Sequence, residues 1–353
     1  MDNSVKNILA FFLIVLVLYL FSVLSTLLIP LVLAFLLASL FQPLVRLIKR
    51  TKIPGWLFLP IVAIITLAIL FGIFQVLSET IDEILNQQEY MLARLNAKID
   101  NFVLWLDSIT GSSFSQSINF KEIDKMFKEI DLPNLFGNIA SSISSFTGSF
   151  FMFALYFVVI LTSLPNYKRF IYYVMQDNTI DSDDDSESKN AFIRQYEIIL
   201  HSIISYINVK TFVSLSTGLL TFLICWIFDI KFAFFWGFIA LVLNFIPTIG
   251  SIIAVLLPSL MGVIQFDTAE RMLLLSLILA GVQFIVGNLI EPVIMGNRLK
   301  INTLTVFIAL FFWGFMWGIP GMFLAVPLVV IFKLVLEQFT STAYISRLMG
   351  SSK

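Results

Sequence analysis

The sequence is short of charge, cysteine and histidine, and each shortage excludes a class of protein. Charged residues make up only 13% of the 353 residues and leave a formal net charge of −1, whereas soluble proteins average about 25%. A chain with so little excess charge has no electrostatic basis for binding nucleic acid. The one cysteine, Cys225, cannot form an internal disulfide. The one histidine, His201, has no second histidine or cysteine ligand nearby, so we predict no metal site and no cofactor.

Catalytic motifs are missing as well. The sequence contains no HExxH, no Gly-x-Ser-x-Gly and no phosphate-binding loop. An intramembrane protease would need a nucleophile or a pair of aspartates within its spans, and Asp229 is isolated. We therefore predict that the chain is not an enzyme. Since no ATP-hydrolysing motif is present, the energy for any transport is expected to come from a gradient.

Apolar residues dominate the chain instead. They make up 59% of it and give a mean hydropathy of +0.95, against about 45–50% apolar residues in soluble proteins. A bilayer core of ~30 Å takes about 20 apolar residues per helix. The sequence predicts an all-α polytopic membrane protein with about eight transmembrane helices, some broken or re-entrant, plus amphipathic extramembrane helices. The candidate spans are residues 8–29, 31–45, 56–78, 147–165, 211–228, 232–246, 249–264, 272–290 and 303–335.

Basic residues set the predicted orientation. Arg46, Lys49, Arg50 and Lys52 follow the second span with no acid among them, and the positive-inside rule places this loop in the cytoplasm. Because the first two spans are predicted to form a hairpin at Pro30, the N-terminus is expected in the cytoplasm, and the C-terminus is assigned to the same side. The predicted organisation is a transmembrane hairpin with a third span (1–78), an extramembrane segment (79–146), a fourth span (147–165), an acidic cytoplasmic linker with an interfacial helix (166–210), a C-terminal transmembrane domain (211–340) and a cytoplasmic tail (341–353).

Segments outside the spans also have helical patterning. Within 79–145, apolar residues recur at helical spacing from Ile81 to Leu106 and again from Ile123 to Ile130. Such amphipathic helices need a partner surface, which is the membrane, another subunit or, as these stripes usually indicate, the same protomer. Residues 177–190 (DNTIDSDDDSESKN) are predicted to form a solvated acidic linker. An interfacial helix at the inner leaflet is predicted over 192–207.

The C-terminal half contains a short repeat around two proline–glycine motifs. FIPTIGSIIAVLLP (245–258) and GIPGMFLAVP (318–327) share Ile-Pro followed by Gly-x-x-x-Ala-Val. Proline removes a backbone donor and glycine relaxes the local dihedrals, so each helix is predicted to break at membrane depth. The freed backbone must be buried in protein or line a wet cavity.

Three segments in each repeat (211–264 and 272–335) predict an inverted-topology arrangement, with a substrate site near the broken helices. The alternative is that the motifs terminate helices and do nothing else. The break residues assigned to the predicted substrate or ion pathway are Asn244, Pro247, Gly250, Gly318, Pro320 and Gly321.

A carboxylate lies at the border of a span, in the stretch NLIEPVIMGNRLKIN. An ionised carboxylate costs about 2.5–3.5 kcal/mol at the centre of a membrane helix. Asn288 lies one turn before Glu291, and its carbonyl loses the usual donor because Pro292 has no N–H. These three residues complete the predicted site, as oxygen ligands for H⁺, Na⁺ or a polyol. The alternative is a structural ion pair between Glu291 and Arg298 or Lys300.

Together these motifs resemble the autoinducer-2 exporter family of bacterial membrane proteins. NFIPTIGSIIAVL, NLIEPVIMGNRLKIN and FFWGFMWGIPGMFLAVPLVVIFK fit that family in order and spacing, and LLIPLVLAFLLASLFQPLVRLIKRTKIPGW resembles its opening hairpin. The resemblance covers nearly the whole chain and is weakest in 79–145 and the acidic linker. It implies efflux of the quorum-sensing compound autoinducer-2, a small polar polyhydroxylated molecule. It also suggests a homo-oligomer in the bacterial inner membrane.

Three functions stay open at this point. The first is a secondary exporter of a small polar metabolite such as autoinducer-2. The second, implied by other members of that family, is a Na⁺(Li⁺)/H⁺ antiporter with Glu291 as the coupling carboxylate. The third is a non-transport role in which 79–145 is a module for assembly or docking. Thr248 and the stretch Lys300-Ile301-Asn302 depart from the residues usual in the family and leave the substrate open.

Overall fold

The computed structural model describes residues 3–41, 55–110, 149–163, 183–295, 301–337 and 342–350, and nearly all of them are helical. One segment, Ile285–Ile290, is π-helical. The helices are α1 (Asn3–Val23), α2 (Ser25–Leu40), α3 (Gly55–Asn86), α4 (Gln88–Thr110), α5 (Ser149–Ser163), α6 (Asp183–Ile227), α7 (Ala233–Leu243), α8 (Ile249–Gln265), α9 (Ala269–Phe284), α10 (Glu291–Met295), α11 (Thr303–Leu336) and α12 (Ala343–Met349).

Several of these helices are long and apolar enough to cross a bilayer. Four segments qualify, namely Pro60–Asn86, Ser202–Ile227, Ala269–Met295 and Thr303–Leu336, and α1 with α2 makes a fifth if the bent pair counts as one span. Helices α5, α7 and α8 are apolar but shorter. The prediction of an all-α polytopic membrane protein is confirmed. The basic loop after the second predicted span and the helix predicted over 123–130 lie outside the described residues.

The bend between α1 and α2 lies at Leu24, six residues before the proline at which a hairpin was predicted. The two helix axes differ by 77° across this break. Pro30 lies buried inside α2. Pro30 lies in the second turn, where it removes the hydrogen bond to the carbonyl of Thr26 and crowds that carbonyl, but α2 continues through it.

Helix α6 joins elements that the sequence suggested were separate. The second half of the predicted linker, the predicted interfacial helix and the following span form one helix of 45 residues, Asp183–Ile227. No proline or glycine occurs between Asp183 and Gly218 to interrupt it. The change from polar to apolar composition therefore lies within one continuous helix and does not mark a boundary between elements.

The described helices divide into two compact units. The first unit comprises described residues of 1–68, 148–212 and 291–353, and the second those of 69–147 and 213–290. In the first unit, the indole N–H of Trp317 on α11 donates to the carbonyl of Phe21 on α1 at 2.9 Å. The core of this unit is formed by α2, α6 and α11 through Leu36, Ile203, Tyr206, Ile207, Trp317, Leu324, Val326 and Val330.

The apolar stripe of the segment that was predicted to be extramembrane contributes to the core of the second unit. Ile81 and Ile84 at the end of α3, with Met91 and Leu95 on α4, are buried in one cluster with side chains of α8 and α9. For these residues the interpretation that the stripe packs on its own protomer is confirmed. The end of α4 is different, because Trp105 is exposed.

Candidate functional site

The first predicted helix break lies between α7 and α8. Helix α7 ends at Leu243, and α8 starts at Ile249 after Thr248 adopts a positive φ of 63°. Gly250 lies against the end of α7, so that a Cβ added there would be 1.7 Å from the carbonyl oxygen of Leu243. A side chain cannot fit at that distance, which explains why the break requires glycine.

The second predicted break lies inside α11 and has a similar construction. Gly318 adopts φ 64° and ψ −144°, a conformation that side chains rarely adopt, and it divides α11 into two helical arms. Pro320 follows within two residues. A Cβ added to Gly321 would be 1.9 Å from the carbonyl oxygen of Trp313. Both predicted breaks are thus confirmed, and each combines a residue at positive φ, a proline and a glycine packed against a preceding carbonyl.

Asn244 ties the first break to α6. It is buried, and its side-chain amide donates to the hydroxyl of Ser214 at 3.0 Å. Thr217 and Thr221 follow Ser214 on the same face of α6 and are buried too. The hydroxyl of Thr217 donates back to the carbonyl of Val213 at 2.9 Å. Sequence reasoning missed this hydroxyl stripe, although its spacing of three and four residues within an apolar helix could have indicated it.

The stretch before Glu291 is π-helical. The wider turn covers Ile285–Ile290 and gives way to the short helix α10 at Glu291 itself. Pro292 accounts for this, since a proline removes one helical hydrogen bond and crowds the carbonyl four residues earlier. A π-helical turn is one way a helix accommodates such a conflict, and it occurs frequently at functional sites. Asn288 and Pro292 are exposed, and their part in a transport site remains a prediction.

Glu291 forms an ion pair with Lys210. The ammonium nitrogen of Lys210, on α6, lies 2.5 Å from a carboxylate oxygen of Glu291 and donates a hydrogen bond to it. The Lys210 side chain is 5% exposed and that of Glu291 is 20% exposed. Tyr206, one turn before Lys210, is buried and lies within electrostatic range of Glu291. Arg298 and Lys300, the partners considered from sequence, lie outside the described residues.

This pair is the chemically distinctive feature of the first unit. Two charges removed from water attract each other strongly, but each depends on the other, because an unpaired buried charge is costly. A carboxylate in that position can exchange its ammonium partner for a proton, for a monovalent cation or for the hydroxyl groups of a solute. Among the described residues, no three His, Cys, Asp or Glu side chains come together as a metal site.

Comparison with known sequences identifies the family. The profile of the AI-2E family transporter matches residues 8–341. The chain belongs to the AI-2E transporter family. The AI-2 transport protein TqsA of Escherichia coli K12 is 30% identical over 322 residues, which cover 89% of this chain and 86% of TqsA. A Haemophilus influenzae relative, whose name gives transport but no substrate, is 24% identical over 91% of this chain and 89% of its own length.

A third relative comes from a different bacterium. YueF of Bacillus subtilis is 24% identical over 323 residues, covering 88% of this chain and 83% of its own. These matches agree with the membrane-spanning helices, and they make this AI-2E protein a multi-pass membrane transporter. The Glu291–Lys210 pair and the two helix breaks lie within the matched residues.

Proposed function

We propose that this transporter exports a small polar metabolite such as autoinducer-2 across the bacterial inner membrane, driven by an ion gradient. The observation that carries the proposal is the ion pair between Glu291 and Lys210, because it places an exchangeable carboxylate at the end of a membrane-spanning helix. The name of the E. coli relative supports the choice of solute. The absence of an ATP-hydrolysing motif in the sequence supports the choice of a gradient.

The two helix breaks supply a second kind of binding group. Backbone that leaves a helix has carbonyls and N–H groups available to a solute, and within the membrane such backbone must be covered by protein or line a water-filled cavity. Broken helices of this kind hold substrates and ions in transporters. We assign the coupling ion to Glu291 and the solute to the backbone of a break, each break being considered within its own unit.

Na⁺(Li⁺)/H⁺ antiport is the second candidate, and Glu291 is the observation that favours it. A carboxylate that alternates between a proton and a sodium ion is sufficient for such exchange, with no organic solute involved. Under this alternative the helix breaks would allow movement without binding a metabolite.

Two assays on purified full-length protein in proteoliposomes separate these functions. The first measures release of preloaded, labelled autoinducer-2 with and without an imposed gradient of pH or Na⁺. The second uses a lumenal pH dye to follow proton movement driven by a Na⁺ gradient in the absence of organic solute. Gradient-stimulated release without Na⁺-driven proton movement supports export. Proton movement without release supports antiport, and neither activity would contradict both.

A further inference from the structure

The lysine of the ion pair is more deeply buried than the carboxylate. The Lys210 side chain is 5% exposed, against 20% for Glu291, and its nitrogen is directed at one carboxylate oxygen. A lysine ammonium carries a full charge that needs compensation once it leaves water. Within the described part of the chain, that compensation comes from Glu291. The two groups therefore cannot be exchanged or separated independently.

Among the described residues, the ionisable groups that interact with Glu291 lie on α6. Helix α6 contributes Lys210 and Tyr206, and α2 contains no ionisable residue. Helix α11 carries Lys333, which pairs with Glu337 at 3.4 Å. Among the described residues, the cation in contact with the Glu291 carboxylate is thus Lys210.

We propose that Lys210 is a positioning residue for transport: its ammonium is an internal counter-cation that occupies Glu291 until a proton or a transported monovalent cation replaces it. This inference rests on the proposed function. It adds Lys210 to the site and makes the ammonium of Lys210 compete with the transported cation for Glu291. An arriving cation and the ammonium need the same carboxylate oxygens, so one must leave for the other to bind. Binding at Glu291 is thereby linked to movement of a buried lysine on another helix.

The backbone beside Glu291 is suited to such a movement. The carboxylate directly follows the π-helical segment Ile285–Ile290 and directly precedes Pro292, so the regular hydrogen-bond ladder is interrupted on both sides of it. When a cation displaces Lys210, the ammonium left behind is an unpaired buried charge. Relief of that charge by a shift of α6 or of the irregular turn would convert ion binding into a conformational change.

The test is a pH titration of the Glu291 carboxyl in the full-length protein in proteoliposomes. Infrared difference spectra report the carbonyl band of a protonated carboxyl, and loss of that band in Glu291→Gln assigns it. In Lys210→Met the pH at which half of the Glu291 carboxyls are protonated is expected to rise by at least one unit. The carboxyl would then be half protonated at a tenfold lower proton concentration. In Lys210→Arg, which keeps the charge, the midpoint is expected at or below that of the wild type.

Lys333→Met is the matched control, because Lys333 is also a buried lysine on a spanning helix with a carboxylate partner. Its substitution is expected to leave the Glu291 midpoint unchanged. If Lys210→Met does not fold, Lys210→Gln replaces it, since its amide can still donate to Glu291 while carrying no charge. An upward shift of the Glu291 titration midpoint, smaller than that of Lys210→Met, is then expected.

A midpoint that stays at the wild-type value in a folded Lys210→Met or Lys210→Gln protein would overturn the inference. The titration requires no transported solute, so it distinguishes this failure from failure of the proposed function. Wild-type protein that moves neither labelled autoinducer-2 nor protons would refute the function alone. Where release is active, the pH of half-maximal release is expected to shift upward together with the carboxyl midpoint.

Discussion

Lys210 and Glu291 lie 81 positions apart in the sequence, and their side chains meet with 2.5 Å between the ammonium nitrogen and a carboxylate oxygen. The contact joins the first half of the spanning part of α6 to the short helix α10. It explains how a very apolar chain retains a carboxylate beside a proline at the end of a span. The carboxylate is compensated within the protein by the ammonium of Lys210.

The first prediction concerns the stability of this pair. Lys210→Met and Glu291→Gln each leave the other charge buried without a partner, so each is expected to lower the free energy of unfolding by ~3 kcal/mol. The double substitution removes both charges and is expected to recover most of that loss. Thermal unfolding in detergent of wild type, the two single variants and the double variant completes the double-mutant cycle.

The corresponding cycle on Lys333 and Glu337 is the control. This pair is separated by one helical turn and Glu337 is 44% exposed, so its coupling energy is expected to remain below ~1 kcal/mol. Equal coupling energies for the two pairs would contradict the burial argument for Lys210 and Glu291.

The second prediction concerns the glycines of the two helix breaks. Gly250→Ala and Gly321→Ala each place a methyl group within 2 Å of a backbone carbonyl oxygen, which cannot rotate away. Overpacking of this kind is expected to cost ~3 kcal/mol of unfolding free energy. Gly281→Ala in α9 is the control, because nothing lies within 4 Å of its added Cβ, and its melting temperature should stay at or slightly above that of the wild type. Matching losses at all three positions would argue against the close contacts.

The third prediction concerns the buried hydrogen bond at the first break. Asn244→Leu removes the amide that donates to Ser214 at 3.0 Å and leaves that hydroxyl without this partner. The expected loss is ~1–2 kcal/mol of unfolding free energy. Asn101→Leu, on the exposed surface of α4, serves as the control and should change stability by less than ~0.5 kcal/mol. An Asn244→Leu protein as stable as the control would show that the bond does not hold the break in place.

The fourth prediction concerns the attachment of α4 to the turn between α8 and α9. Asp267 accepts hydrogen bonds from Lys98 at 2.8 Å and Arg94 at 3.2 Å. The hydrogen bond and charge of Lys98, followed by the charge of Arg94, lower the pKa of Asp267 below its ordinary value. A carboxyl whose pKa is lowered by folding stabilises the folded state above its unfolded pKa of about 3.9, and that contribution is lost as the pH falls through the folded-state value.

Hydrogen exchange, corrected for the intrinsic effect of pH, tests this attachment. Protection of the α4 amides is expected to decrease modestly in Asp267→Asn at neutral pH, and in wild type as the pH falls below about 4. High salt should have the same effect as the substitution, because the Asp267 carboxylate is exposed. Glu270→Gln in the first turn of α9 is the control. Protection that is insensitive to Asp267→Asn would assign the attachment to the apolar stripe alone.

The sequence predicted the positions of the helix breaks because their cause is local. Proline and glycine act on the backbone within one turn, and Pro247 and Gly318 lie at or beside the observed breaks. The same reasoning misplaced the first bend, since Pro30 is accommodated inside α2. It also divided α6, because a change in polarity along a helix resembles a boundary when nothing in the backbone marks its continuity.

The candidate site was predictable only in part, because only some of its features have a local cause. The carboxylate of Glu291 and the lost hydrogen bond at Pro292 are evident from neighbouring residues. Its partner Lys210 is not, because tertiary packing of α6 decides which basic residue reaches it. The hydrogen bond that Pro292 cannot donate indicated an irregular turn before Glu291. That this turn is π-helical depends on its packing against the surrounding helices.

The proposal that Glu291 couples transport to a gradient is tested most directly by gradient-stimulated release of labelled autoinducer-2 from proteoliposomes. Wild type and Glu337→Gln, whose carboxylate pairs with Lys333 instead, are expected to release faster when a pH or Na⁺ gradient is imposed. In Glu291→Gln the protein is expected to remain folded while that stimulation is lost. Full gradient stimulation in folded Glu291→Gln would contradict the account, because the amide can neither bind and release a proton nor pair ionically with Lys210.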